Sequence, residues 1–333
     1  MFIVTSYPLA IVFCVITMLC WGSWANTQKL AAGKWRYELF YWDYVIGIFL
    51  FSLIAALTLG STGDQGRAFL DDLKQASGTN IGSALVGGII FNLANILLSS
   101  AIAIAGMSVA FPVGIGLALV VGVIVNFASH QKGDPLLLFA GVALVSLAII
   151  FNAIAYKKKT GTASKAGAKG IALSIIAGLL MSFFYSFVAG AMDLDNFVNP
   201  EAEKMTPYTA SVVFAAGILL SNFLFNTVMM RKPLQGPPIS YTEYFKGRPA
   251  LHSIGILGGS IWALGNLFNL IAAGKAGPAI SYGLGQGATL VAAIWGVMIW
   301  KEFAGSSKQV KNLIASMFVL FVAGLALVIA AGL

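Results

Sequence analysis

The sequence predicts an all-α integral membrane protein whose ten transmembrane helices form two inverted five-helix repeats. Composition is the first observation: of 333 residues, 59% are apolar and 10% are charged. Such a chain cannot enclose an apolar core and also cover its outside with polar groups. Segmentation is the second, because about 20 apolar residues span a bilayer and roughly ten such runs follow one another. An internal match between the two halves is the third. A water-soluble enzyme is excluded.

Apolar runs, separated by polar or Gly- and Pro-rich stretches, define the helices in order. They predict helices over 8–28, 40–60, 81–103, 107–127, 135–155, 169–191, 208–230, 250–272, 278–299 and 311–332. The first run lacks the basic start and the small-residue cleavage site of a secretory signal, so it is predicted to be a retained helix. Segments 136–155 and 313–333 are apolar on every face, which excludes a β-barrel of alternating polarity.

The distribution of Lys and Arg predicts the orientation. The loops after predicted helices 1, 5, 7 and 9 hold fifteen of the 20 basic residues, and the loops on the opposite side hold five. Because short loops rich in Lys and Arg stay in the cytoplasm, both termini are predicted to lie outside the cell (inner) membrane. The net charge of +8 follows from this bias. It therefore indicates no nucleic-acid partner.

Residues 1–155 and 169–333 are the two predicted repeats, joined by a cytoplasmic linker at 156–168. An offset of 171 residues places Gly87-Gly88 on Gly258-Gly259 and Asn95 on Asn266 without a gap, with ten of thirty positions identical from residue 87 to residue 116. Chance matches between small residues explain part of this similarity. Since five is an odd number, the two copies would cross the membrane in opposite directions, as in many secondary transporters.

Residues that could carry out catalysis or hold a metal are missing. The two histidines, His130 and His252, lie in or near loops, and no acid pair occurs at helical spacing in an apolar run. Cys14 and Cys20 would lie about 9 Å apart along a helix, too far for a disulfide. The sequence therefore predicts no enzyme, no cofactor and no metal site.

Polar and aromatic residues recur at helical spacing on single faces of the apolar segments, which predicts a cavity that binds a solute. The candidate substrate-binding residues are Trp21, Trp24, Gln28, Asn92, Asn95, Tyr185, Asn266, Asn269, Tyr282 and Gln286. A subset is expected to converge near the membrane midplane: Trp21, Trp24, Gln28, Asn95, Asn266 and Gln286. The alternative for each amide is hydrogen bonding between helices. Charge is nearly absent from the middle of the segments, so the solute is predicted to be neutral.

The stretch Cys20-Trp-Gly-Ser-Trp-Ala-Asn-Thr-Gln-Lys-Leu30, followed by Trp35-Arg-Tyr-Glu-Leu-Phe-Tyr-Trp-Asp-Tyr44, resembles the opening of bacterial transporters grouped with ureide permeases and glucose/ribose porters. That group belongs to the drug/metabolite transporter superfamily. The resemblance implies a pathway between the halves, walled by helices 1, 3, 4, 6, 8 and 9, and proton-coupled uptake of small neutral solutes. Plant ureide permeases have a larger central loop with a phosphate-loop-like element, which the short loop here lacks.

Glu38 and Asp43 are the acids beside the bundle that fall in this family-like segment, and they are the candidates for proton coupling. The alternative for Asp43 is an interfacial acid that pairs with Lys29 or Arg36. In that alternative, Trp35, Tyr37, Tyr41, Trp42 and Tyr44 form an aromatic belt around it.

We therefore expect a secondary active transporter of a ureide, a nucleobase or nucleoside, or a sugar, with a proton or sodium as the coupling ion. Membrane lipid is the other expected partner. A broad-specificity drug/metabolite exporter and a non-transporting membrane scaffold are the alternatives.

Overall fold

A computed structural model describes residues 1–105, 107–160, 165–234 and 236–333. This part of the chain is helical, and its one β-bridge pairs Met192 with Met205. A π-helical turn at Trp295–Ile299 precedes the last helix. The α-helices are α1 (Tyr7–Ser23), α2 (Ala25–Ala31), α3 (Tyr37–Leu57), α4 (Phe69–Gln75), α5 (Gly78–Ala105), α6 (Met107–Ser129), α7 (Pro135–Thr160), α8 (Lys165–Gly190), α9 (Pro207–Arg231), α10 (Tyr241–Phe245), α11 (Pro249–Ala276), α12 (Pro278–Gln286), α13 (Ala288–Ile294) and α14 (Lys308–Ala330).

Nine helical segments of the described chain are long and apolar enough to cross a membrane. Two of them combine shorter helices: α1 with α2, and α12 with α13 and the π-helical turn. Helix α6 holds a tenth, shorter apolar stretch at Val113–Ser129. Every apolar run singled out in the sequence lies on a helix, so the chain is a multi-pass membrane protein.

Some boundaries differ from the sequence-based expectation. The linker predicted at 156–168 overlaps two helices, because α7 extends to Thr160 and α8 begins at Lys165; residues 161–164 lie outside the described part of the chain. The first predicted helix is interrupted at Trp24, and the helix predicted over 278–299 is interrupted at Gly287. The second interruption follows a glycine-rich stretch of low helix propensity. The loop helices α4 and α10 were not predicted.

Helix α3 packs closely against α11 because glycines remove the side chains between them. A Cβ on Gly259 would lie 1.9 Å from the carbonyl oxygen of Tyr44, and one on Gly47 would lie 2.2 Å from that of Ile256. Small residues allow such backbone approach between membrane helices. We call this contact the α3–α11 seam.

Helices α5 and α9 form a second seam of the same kind. A Cβ on Gly88 would lie 2.2 Å from the carbonyl oxygen of Phe214, and one on Gly217 would lie 2.4 Å from that of Leu85. Each seam joins one helix from residues 1–155 to one helix from residues 169–333. The two halves of the chain are therefore interlocked rather than packed side by side.

Candidate substrate-binding site

A cavity of about 40 Å³ lies between the two halves of the chain. None of the described side chains that line it carries a charge. Aromatic rings and aliphatic groups form most of the wall, and two amides join the indole N–H groups of its tryptophans as side-chain hydrogen-bonding groups. The lining residues are Trp21, Trp24, Phe91, Asn95, Leu98 and Ile115 from the first half, and Met181, Phe184, Trp262, Gln286 and Ala288 from the second.

Stacked rings hold the aromatic wall in place. The rings of Trp21 and Trp262 lie 5.7 Å apart and nearly parallel, at 9°. The indole N–H of Trp21 donates to the carbonyl oxygen of Trp262 at 3.3 Å. Phe91 lies against Trp262 with ring centroids 4.4 Å apart, and against Phe184 edge to face at 5.1 Å. This cluster brings α1, α5, α8 and α11 together around the cavity.

A chain of hydrogen bonds orients Asn95 at the cavity wall. The Nδ2 group of Asn95 donates to the hydroxyl of Tyr41 at 3.3 Å, and that hydroxyl donates to Oδ1 of Asn92 at 2.9 Å. Asn92 in turn donates from Nδ2 to Oγ of Ser221 at 3.0 Å. Asn92 is therefore a positioning residue behind the wall. The other amide of the wall, Gln286, ends α12.

Four of the six residues expected to converge do so, namely Trp21, Trp24, Asn95 and Gln286. Gln28 does not line this cavity, because α2 carries it about one turn beyond Trp24 into a separate pocket. Asn266 does not line it either, because Trp262 occupies the wall one turn earlier on α11. Asn266 is buried, and its Oδ1 has no hydrogen-bond partner among the described residues.

Three further candidates form hydrogen bonds between or within helices instead of facing the cavity. Tyr185 shares a hydrogen bond of 3.0 Å with Ser281 Oγ, and Asn269 donates from Nδ2 to the Ser281 carbonyl oxygen at 2.7 Å. The Tyr282 hydroxyl lies within donating distance of the carbonyl oxygens of Met181 (3.1 Å) and Ala118 (3.2 Å). These contacts match the alternative of structural hydrogen bonding.

The apolar part of the wall was missed because only polar residues and the tryptophans of helix 1 were treated as informative. Phe91 and Trp262 occupy equivalent positions in the internal match, as do Ile115 and Gln286. The offset of 171 residues could therefore have pointed to these lining positions.

Two larger pockets open at opposite ends of the helix bundle. One, of about 360 Å³, is lined by α2 and the segment before α3 and includes Gln28, Lys29 and Trp35. The other, of about 240 Å³, lies among the ends of α6 and α8 and the loop around Asp193 and Glu201. The small central cavity thus lies between two vestibules.

Asp43 lies in a buried polar cluster on the α3–α11 seam. Its side chain is 1% exposed. Oδ1 accepts a hydrogen bond from the Tyr244 hydroxyl at 2.7 Å and contacts Nδ1 of His252 at 2.8 Å. Oδ2 accepts from the indole N–H of Trp35 at 3.2 Å. His252, to which the sequence analysis gave no role, lies in the first turn of α11 beside this carboxylate.

The alternative in which Asp43 pairs with Lys29 or Arg36 is wrong, because both basic residues pair with other acids. Lys29 forms an ion pair with Glu302 at 2.8 Å, and Arg36 binds both oxygens of Glu38 at 2.5 and 3.1 Å. The expected interfacial belt is also wrong in its placement. Four of its five aromatic residues are buried in the protein, because they pack between helices: Trp35, Tyr41, Trp42 and Tyr44.

Glu302 connects α2 to the segment after the π-helical turn. Besides Lys29, it accepts a hydrogen bond from the Tyr156 hydroxyl at the end of α7. Burial alone would raise the pKa of Glu302, but Lys29, Tyr156 and Lys159 outweigh it and hold that pKa below its ordinary value. Glu302 therefore stays ionised, and the ion pair between Glu302 and Lys29 of α2 is retained.

Comparison with known proteins places the chain in one family. A model of the ureide permease family matches residues 40–166 and 156–331. Ureide permease 1 of Arabidopsis thaliana is 24% identical over 389 aligned residues, which cover 99% of this chain and 98% of that protein. Ureide permease 2 of the same plant is 24% identical over 397 residues, with the same coverage.

One solved crystal structure shares the fold, with a TM-score of 0.57 over 96% of both chains at 15% identity. Its similarity concerns the fold alone. The family-model match spans most of the sequence, including most of α3 and all of α14. This chain belongs to the ureide permease family.

Proposed function

We propose that this chain is a proton-coupled secondary transporter of a small, neutral, polar solute such as a ureide, a nucleobase or nucleoside, or a sugar. The observation that carries the proposal is the uncharged cavity between the halves, in which aromatic rings and two amides face one space. Rings provide stacking surfaces, and the amides provide directional hydrogen bonds. An ionic solute would require a counter-charge that the described lining does not supply.

We also propose ten transmembrane helices in two inverted repeats, as in the drug/metabolite transporter superfamily. The two seams support this arrangement. Gly88 of α5 contacts Phe214, and Gly259 of α11 contacts Tyr44, so the internal match relates one seam to the other. The dipeptide Gly-Ile recurs at Gly47 and Gly217. Gly47 of α3 faces α11, and Gly217 of α9 faces α5. An inverted repeat gives alternating access by rocking one half against the other.

The size of the cavity indicates how the cycle would proceed. Small-molecule sites usually measure about 300–1,000 Å³, whereas this cavity of about 40 Å³ has room for about three water molecules. The stacked Trp21 and Trp262 rings would therefore separate when a solute binds. Opening toward one vestibule and then the other would carry the solute across the membrane.

Uptake by purified protein in proteoliposomes tests this function. The solutes would be radiolabelled allantoin as a ureide, uracil, uridine and glucose, each with an imposed pH gradient, an imposed sodium gradient or neither. We expect accumulation of at least one neutral solute above its equilibrium level when the pH gradient is imposed. Accumulation driven by sodium alone would contradict proton coupling. Absence of uptake and of binding for every solute of the panel would contradict the proposed function.

A further inference from the structure

We propose that Asp43 and His252 together form the proton-binding site that couples transport, an inference that rests on the proposed proton-coupled function. The notable juxtaposition is a carboxylate in a membrane-spanning helix of the first half, in contact with an imidazole at the start of a helix of the second half. The two residues lie 209 positions apart in the sequence. Their contact bridges the α3–α11 seam.

The ligands of the carboxylate determine which group can take up a proton. Of the three partners that the described chain gives Asp43, Trp35 and Tyr244 are neutral donors. Burial and the hydrogen bond to Asp43 raise the pKa of Tyr244, so this hydroxyl keeps its proton. Of the three partners, only the imidazole of His252 has a second ring nitrogen through which a proton could enter and leave. Before a proton binds, Asp43 and His252 together carry one negative charge. After a proton binds, the two side chains together are neutral.

Glu38, the other acid proposed for coupling, is held differently. Arg36 forms two hydrogen bonds to its carboxylate, a bidentate geometry that fixes the orientation of both side chains. Because a guanidinium does not lose its proton in proteins, Arg36 cannot pass a proton to Glu38. Glu38 therefore fits a structural ion pair, and Asp43 fits the group that changes.

The pair is more exposed on the side of His252 than on the side of Asp43. The His252 side chain is 23% exposed, whereas that of Asp43 is 1% exposed. A proton from water would bind Nε2 of the imidazole, and the proton on Nδ1 would be shared with or passed to Oδ1 of Asp43. Release reverses these steps, so one proton enters and one leaves. Trp35, which donates to Oδ2, also lines the vestibule of about 360 Å³.

The second seam shows that packing alone does not require a charged pair. At the offset of 171 residues, Phe214 on α9 corresponds to Asp43, and Ile81 on α5 corresponds to His252. That seam has the same close backbone approach with apolar residues at these two positions. The α3–α11 seam thus carries a polar pair where the second seam carries apolar residues. Because polar side chains are energetically costly inside a membrane, their presence favours a functional role.

The pair is also close to the cavity wall. Tyr44 follows Asp43 on α3, and its ring lies 4.7 Å from Trp24, a lining residue. Its carbonyl oxygen is the one that Gly259 of α11 approaches. A change of charge at Asp43 therefore acts on the same seam that positions one wall of the cavity.

Proton binding can be measured without a transported solute. Purified wild-type protein, Asp43→Asn, His252→Asn and the control Glu243→Gln would be compared by infrared difference spectroscopy between neutral and acidic pH. His252→Asn keeps an N–H donor near the position of Nδ1 but removes the titrating ring. We expect a protonated-carboxyl or imidazolium band in wild type and in Glu243→Gln, and its loss in both variants of the pair. The same band in all four proteins would overturn the inference.

Transport provides the second measurement, with uracil or allantoin, whichever wild type accumulates. Asp43→Asn and His252→Asn should lose pH-driven accumulation at least tenfold but retain solute counterflow, which needs no net proton movement. Retained counterflow also demonstrates folding. Wild-type-like, pH-driven accumulation in Asp43→Asn would overturn the inference while leaving the proposed function intact. If wild type itself transports nothing, the proposed function fails, and the infrared comparison still decides whether the pair binds a proton.

Discussion

Asn95 and Gln286 are the two amide side chains that reach the cavity, and they are held in different ways. Asn95 is fixed by the Tyr41 hydroxyl, which is fixed in turn by Asn92. Gln286 is the last residue of α12, just before the interruption at Gly287. One amide is therefore rigidly oriented, and the other lies where the helix can change shape.

Replacing either amide by alanine should weaken solute binding. A buried partner left without its hydrogen bond costs about 1–3 kcal/mol, so we expect Asn95→Ala and Gln286→Ala each to raise Kd roughly tenfold or more. The matched control is Asn152→Ala, which removes a buried amide of α7 that does not line the cavity. Calorimetric titration of purified protein with the transported solute gives Kd. Equal Kd values for wild type and both cavity variants would contradict a role in binding and would leave these amides a structural role.

At the residue scale, helical periodicity identified faces but not the partners of the side chains on them. Trp21 and Trp24 line the cavity because their face turns toward the second half of the chain, and their role in binding stays a prediction. Tyr282 carries the same pattern, yet its hydroxyl meets backbone carbonyls. His252 could not be linked to Asp43, because contact between residues 209 positions apart leaves no local pattern.

Among the helices, the two glycine-lined seams determine which element packs on which. Gly255 and Gly259 lie one turn apart on α11 and face Asp43 and Tyr44 of α3. Gly255 therefore makes room for the carboxylate cluster as well as for the backbone. This packing was partly visible in the sequence, since Gly87-Gly88 and Gly258-Gly259 matched. Which helix each pair contacts was not visible, because spacing along one helix does not specify its neighbour.

A single methyl group should disturb the α3–α11 seam. The Cβ of Gly259→Ala would lie 1.9 Å from the Tyr44 carbonyl oxygen, so the helices must separate. Overpacking of this kind costs about 1–3 kcal/mol. We expect a lower temperature of thermal unfolding in detergent. The control is Gly82→Ala on α5, where a Cβ would meet nothing within 4 Å. Equal unfolding temperatures for Gly259→Ala, Gly82→Ala and wild type would disprove the close packing.

For the molecule as a whole, hydropathy was sufficient to place the helices because each one must satisfy its backbone within the segment. The polar loops obey no such constraint. Helices α4 and α10 therefore escaped prediction, and so did the extension of α7 to Thr160. The uneven distribution of Lys and Arg between the loops predicts the orientation in the membrane. It carries no information on which helices pack together.

Cysteine labelling tests that orientation. Single cysteines at Asn199 and Lys246, both exposed, would be introduced into a protein in which Cys14 and Cys20 are replaced by serine. Because the basic loops should remain in the cytoplasm, an impermeant maleimide added to intact cells is expected to label position 199 only. Labelling of both positions after lysis is the control for reactivity. Labelling of 246 but not 199 in intact cells would invert the orientation.

The interlocking of the halves has a consequence for biosynthesis. Helix α3 leaves the ribosome long before α11, since Asp43 and His252 lie 209 positions apart in the sequence. Until α11 arrives, the glycine-lined face of α3 and the carboxylate of Asp43 lack the partners that cover them in the finished protein. Shielding of that face by the insertion machinery would matter most during that interval.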